Sequence, residues 1–232
     1  QPFGMVQLSP DTRLEGWDGC GGYHFSDSII YGFSHTHLSG TGISDYADVL
    51  LMPTTGKLHL TNGVNEAKIN NAPINEVGYA SRFSHKKETA QAGYYQVFLE
   101  DYNINVELTS SLRVGMHKYS FPEAEVANII LDLEHRDKLL DYKINVIDSQ
   151  TIIGYRHSSE WARDQRIYYT LKFSLPIKNT LFNEEKTIVG FSFGEISNPL
   201  IVKTSISAVD NLGANANMNE INDWDFDRVK KE

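Results

Sequence analysis

Two histidines two residues apart, His35 and His37, open the densest polar stretch of this 232-residue chain. The Ser39-Gly40-Thr41-Gly42 turn follows, and then two carboxylates, Asp45 and Asp48. Glycine lets a backbone take positive φ and approach a ligand closely. Imidazoles and hydroxyls on either side supply donors and acceptors at short range. On a strand, residues i and i+2 face the same side, so the two rings could address one ligand or one metal. A zinc site would need a third ligand and an ordered outer shell. His24, Asp45 or Asp48 could supply it, although their spacing matches no metalloenzyme signature. The alternatives are contact with a polar ligand and a hydrogen-bonded framework at a crowded turn.

A second cluster runs from Arg13 through Trp17, Asp18 and Cys20 to Tyr23 and His24, interleaved with glycines. A Trp among glycines has little to pack against in a core strand. Sugars present an apolar C–H face and a polar rim, which suits an aromatic platform flanked by carboxylate and guanidinium groups. A Trp folded back over the sheet is the equal alternative. The segment His157–Asp164 reads as a polar loop that either lines a cleft or is merely solvated. Glu134-His135-Arg136-Asp137 reads as a charged turn, and Glu123 and Glu125 as solvent-facing. No carboxylate pair stands out as an acid/base couple, and there is no nucleophile elbow, phosphate loop or dinucleotide fingerprint.

Those residues must be carried by strands. Ile167, Tyr169, Leu171 and Phe173 alternate with Tyr168, Thr170 and Lys172, and Val106 and Leu108 alternate with Glu107 and Thr109. Period two with β-branched and aromatic residues predicts half-buried strands. The same pattern predicts strands near Met5–Leu8, Val49–Met52, Lys57–Leu60, Ala80–His85, Tyr94–Leu99, Arg113–Phe121, Val126–Leu133, Lys143–Val146, Thr151–His157, Ile188–Phe191 and Leu200–Ala208. About a dozen strands, with short turns at Asn62-Gly63, Asn70-Asn71 and Asp148-Ser149, imply an all-β antiparallel sandwich. The one helix expected lies at the end, capped by Asp223 or Asp225. The Asn-rich segment Asn211–Asn222 marks the softest boundary, so residues 1–210 are read as the sandwich and 211–232 as a way out of it.

Bulk properties exclude other classes. A net charge of −9 argues against a nucleic-acid backbone as partner, which needs clustered positive charge. Cys20 is the sole cysteine, so no intrachain disulfide forms. No apolar run approaches the ~18 residues of a membrane span. The chain opens without Met, at Gln1-Pro2-Phe3-Gly4, which reads as a start inside a domain with any targeting segment upstream.

Five strings occur in order: PFGMVQLSPDTR (2–13), IIYGFSHTHLSGTGISDYADVLLMPTTG (29–56), FSHKKETAQAGYYQVFL (83–99), ELTSSLRVGMHKYSFP (107–122) and WDFDRVKKE (224–232). Together they resemble the N-terminal domain of the glycoside hydrolase family 92 α-mannosidases over essentially the whole chain. The resemblance implies a large antiparallel β-sandwich of the galactose-mutarotase-like type, with residues 211–232 beginning a helical linker to an (α/α)₆ catalytic barrel. It implies an exo-acting, inverting, calcium-dependent α-mannosidase, often α-1,2-specific, acting on mannans or high-mannose glycans. Its acid and base would lie in the barrel, so this chain would hold no catalytic carboxylate and bind no metal itself.

By the same resemblance Arg13, Trp17, Tyr23, His24, His35, His37 and Asp45 are the candidate sugar-binding wall. Residues 13–46 are then expected to form an exposed, aromatic-containing patch. The implied partners are a mannose-containing glycan and the barrel, and the implied location is secreted, periplasmic or cell-surface. A stand-alone carbohydrate-binding sandwich and a His-metal sandwich enzyme are the competing readings.

Overall fold

The computed structural model describes residues 4–40 and 42–232. Its strands in chain order begin with β1 (Ser9–Asp11), β2 (Ile29–Ile30), β3 (Gly32–Ser34), β4 (Leu50–Thr55) and β5 (Ser81–Arg82). They continue with β6 (Glu88–Gln91), β7 (Tyr94–Leu99), β8 (Ile104–Ser110), β9 (Val114–Ser120), β10 (Val126–Asp132) and β11 (Lys138–Val146). The last are β12 (Thr151–Ser159), β13 (Gln165–Phe173), β14 (Asn179–Phe182), β15 (Ile188–Glu195) and β16 (Leu200–Ser207). Helices are α1 (Val64–Asn70), α2 (Ile74–Val77), α3 (Asn211–Asn217) and α4 (Phe226–Lys231).

Two antiparallel sheets face each other, six-stranded β1-β3-β4-β10-β15-β14 and eight-stranded β11-β12-β13-β16-β9-β8-β7-β6. The expected all-β sandwich is the fold. Between the sheets Phe173 on β13 meets Phe191 and Phe193 on β15, at ring separations of 5.5 and 5.2 Å. β12 alternates strictly, with Ile152, Gly154, Arg156 and Ser158 inward and Tyr155 and His157 outward. β16 is buried along both faces because α3 and the C-terminal segment cover its outer side. β11 forms one edge of the larger sheet, pairing only with β12 and carrying an irregularity between Leu139 and Asp141.

Several expectations need correction. Met5–Leu8 and Lys57–Leu60 are not strands. Leu58 instead lies over β15, where a Cβ on Gly190 would come within 2.5 Å of it, so glycine admits the crossing segment. A helix is not confined to the end. Asn62-Gly63 begins α1 rather than a hairpin, with the Asn62 side chain accepting from Val64 N–H, and Asn71 closes α1 in the left-handed region. The Asn-rich segment itself begins with α3, which Asp210 caps and which packs on β16 and β13.

The C-terminal segment is strapped to the larger sheet. Phe226 and Val229 pack with Tyr94, Val114 and Met116. Lys203 donates to the carbonyls of Ile221 and Asp223 and lies 4.3 Å from the Trp224 ring. A six-residue helix has no stability alone, so α4 depends on these contacts.

Candidate functional site

Four connections gather at one end of the sandwich: residues 13–27, 38–49, 133–137 and 159–165. Their joints are specific. Gly42 N–H donates to the Trp17 carbonyl (2.8 Å) and Cys20 Sγ to the Gly40 carbonyl (2.6 Å). Asp45 accepts from Ala162 N–H (2.8 Å). Arg156 reaches in from β12 to Asp48 (2.8 Å), to the Leu133 carbonyl (2.7 Å) and to Asp137, so one buried guanidinium ties the 38–49 and 133–137 connections together. Tyr46, Ala47 and Val49 sit at φ of 65°, 60° and 59°, the left-handed region that costs non-glycine residues energy. The network around Asp48 holds that strain: Asp48 also accepts from Gln165 (2.7 Å) and Thr36 (2.6 Å).

The histidines belong to this framework. Both rings are buried, as is Asp45, so none of the three presents a side chain at the surface, where a sugar wall was expected. They also have no common partner. His35 Nδ1 donates to the Val49 carbonyl (2.7 Å), while its Nε2 faces His117 Nε2 at 2.9 Å. Tyr119 O–H donates in turn to His117 Nδ1 (2.7 Å). One arrangement satisfies every group: both imidazoles neutral, with His117 Nε2–H donating to His35. Burial drives His35 down to about 4 and His117 well below its ordinary range, in agreement with that assignment. His37 faces the Gln7 carbonyl (2.7 Å), Ser34 Oγ (2.9 Å) and Asp11 (2.9 Å). Burial opposes ionisation of Asp11, but His37 and His135 facing it reverse that and hold its carboxyl far below the usual range. Gly22, at φ +81°, leaves the space: a Cβ there would lie 2.4 Å from Asp11 and 2.6 Å from His37.

The remaining candidates divide. Arg13 forks onto Asp27 (2.6 and 3.2 Å), closing the base of the 13–27 loop. His24 bonds Ser26 and, through its backbone, Thr12. Tyr23 donates to Glu88 (3.2 Å). Only Trp17 stands free, 71% exposed. It borders a cavity of about 430 Å³ lined by Glu15, Arg136, Asp137, Lys138 and Glu160. Trp161, 77% exposed, adjoins Glu160 on the facing turn. The expected exposed patch over 13–46 is therefore present at its aromatics, Trp17 and Phe25, and absent at His35, His37 and Asp45.

Glu134–Asp137 is the charged turn expected, with Glu134 exposed and the rest turned inward. The His135 and Arg136 side chains are 2% and 1% exposed, close to Asp11 at 3.5 and 3.8 Å. Among the described residues the Arg136 guanidinium has no hydrogen-bond partner. The available signal was the alternation of β12, which turns Arg156 inward and so demands buried carboxylates nearby.

Among known structures, the chain matches the family GH92 α-mannosidase BT3965 from Bacteroides thetaiotaomicron at 33% identity and TM-score 0.89, covering 99% of this chain and 33% of that one. The same enzyme solved in complex with mannoimidazole matches equally, with 32% of its length covered. The family GH92 inverting mannosidase BT2199 from Bacteroides thetaiotaomicron VPI-5482 shares the fold, at 23% identity and TM-score 0.78, over 99% of this chain and 31% of that one. None of the curated proteins matches the chain. Residues 1–217 match the glycosyl hydrolase family 92 N-terminal domain, and the chain accordingly belongs to that family.

Proposed function

We propose that this chain is the N-terminal part of an exo-acting, inverting α-mannosidase that cleaves α-mannosidic bonds, α-1,2 bonds foremost, in mannans or high-mannose N-glycans. Family membership supports the activity, and one geometric observation supports the role: exposed Trp17 beside a cavity lined by Glu15, Asp137 and Glu160. A hexose lays its C–H face on an indole and directs its hydroxyls to carboxylate acceptors.

In this reading Trp17 positions the sugar, and the buried Asp48–Arg156–Asp137 frame fixes the loops that present it. Inversion needs one carboxyl to protonate the leaving oxygen and another to activate water, roughly 6.5–9.5 Å apart. Both would be supplied by a helical barrel domain of the complete enzyme. Calcium binding belongs to the proposal only for the complete enzyme. Among the described residues no three His, Cys, Asp or Glu side chains gather as a metal site. Export to the periplasm or cell surface, where mannans are met, is part of the same proposal.

The test is hydrolysis of α-1,2-mannobiose by the complete enzyme, followed by proton NMR. β-Mannose is expected as the first product, and Trp17→Ala is expected to lower kcat/KM about tenfold, equivalent to about 1.4 kcal/mol. α-Mannose as first product would refute inversion. Unchanged kcat/KM in Trp17→Ala would remove Trp17 from the wall.

A further inference from the structure

A second concavity, of about 530 Å³, lies between the 13–27 loop and β6–β7, lined by Pro10, Tyr23, Phe25, His85, Glu88 and Tyr95. None of these six borders the Trp17 cavity. Phe25 is 70% exposed, yet it is not a loose side chain. One face stacks on His85, with ring centres 4.2 Å apart and planes inclined by 15°. His85 is itself braced edge-on by Phe83 (5.2 Å, 88°) and held at Nδ1 by Glu88 (2.6 Å). The loop behind Phe25 is closed by the Arg13–Asp27 pair and by Asp27 N–H donating to the His24 carbonyl (3.0 Å). The ring is therefore presented flat against His85, with its other face outward.

We propose that Phe25, backed by His85, is a second sugar-stacking platform, taking a hexopyranose unit of the glycan chain. The inference rests on the glycan reading above. The polar groups around the platform suit a neutral polyol. Tyr95 and Tyr23 both donate to Glu88, at 2.6 and 3.2 Å, so their phenol oxygens offer lone pairs to sugar hydroxyls. Glu88 is engaged by Tyr95, Tyr23 and His85 Nδ1 together, so its carboxylate is already hydrogen-bonded rather than free to select a cationic ligand. The volume falls in the range of small-ligand pockets and accommodates a single sugar ring. Two aromatic platforms on one loop, Trp17 and Phe25, would grip a chain of sugars at two points, and linked contacts raise affinity without new chemistry at either.

Calorimetric titration with a thio-linked α-mannotrioside, which resists hydrolysis, tests this on the complete enzyme. Phe25→Ala should weaken binding at least tenfold, and Phe25→Trp should stay within threefold of the parent. Equal binding by Phe25→Ala and the parent overturns the platform, as does failure of Phe25→Trp to restore what Phe25→Ala loses. Hydrolysis of α-1,2-mannobiose by the unsubstituted enzyme is measured beside it. Its absence would refute the mannosidase reading itself, whereas activity with unaltered Phe25→Ala binding refutes the platform alone.

Discussion

The two aromatic-bearing turns and the polar frame beneath them are opposite solutions to neighbouring problems. Trp17, Phe25 and Trp161 leave large apolar surfaces in water, which adds nothing to folding. The frame of Asp11, His35, His37, Asp48, His117 and Arg156 does the reverse and removes charged and polar groups from water, which is costly unless each finds a partner. The contrast separates presenting a ligand surface from holding its shape. Density of polar residues along the chain marked the second, and isolated exposed aromatics mark the first.

The sharpest way to break the contrast is at Arg156. Arg156→Met should cost about 3–5 kcal/mol, because two buried carboxylates lose their cation, and should show as an early urea midpoint. A loss under about 1 kcal/mol would mean that the frame is not what holds the loops.

Acidification comes next. His35 is depressed from 6.5 to about 4 and His117 shifts the same way, both by burial. Between those values the unfolded chain binds more protons than the native one, so stability is full above pH 6.5 and falls as pH drops. Each histidine contributes up to about 1.4 kcal/mol per pH unit in that window. Urea midpoints at pH 7.5 and 5.5 should therefore differ. Identical midpoints would show that the pair is not held neutral.

Gly22→Ala follows, with about 1–3 kcal/mol expected from its clash with Asp11 and its positive φ. A melting temperature unchanged from the parent would show that the frame yields at Gly22. The smallest stability effect belongs to Trp17→Ala, within about 0.5 kcal/mol, since an exposed ring contributes no core packing. A large destabilisation there would place Trp17 in the frame and dissolve the distinction.

Much of the sheet architecture was legible in period-two alternation. β12 and β13 lie where that pattern puts them, because local parity and tertiary burial agree, whereas β10 is found in place although it is buried along both faces. Asn62-Gly63 misled because that dipeptide favours hairpins, whereas here the Asn side chain starts a helix. The site was legible in its location and not in its inner geometry. His35 finds its partner 82 residues away in His117, and Asp48 finds Arg156 108 residues away. No local window contains such pairs. Trp17 was separable from the histidines by its glycine neighbours, which deny it a packing surface. Phe25 carried no comparable signal, because its support, His85, comes from another strand connection.

The outer edge β11 has a consequence for solubility. Nine residues with one hydrogen-bonding side unpaired in this chain form a template on which another chain's strand could add. Leu140 and Val146 are both exposed there, at 46% and 45%, which would make such addition stick. Lys138, Asp141 and Lys143 interrupt the apolar run, and the irregularity at Leu139/Asp141 bends the ladder out of register. A flat, uncharged version of this strand would be a nucleus for polymerisation, so these few residues protect the domain from its own sheet.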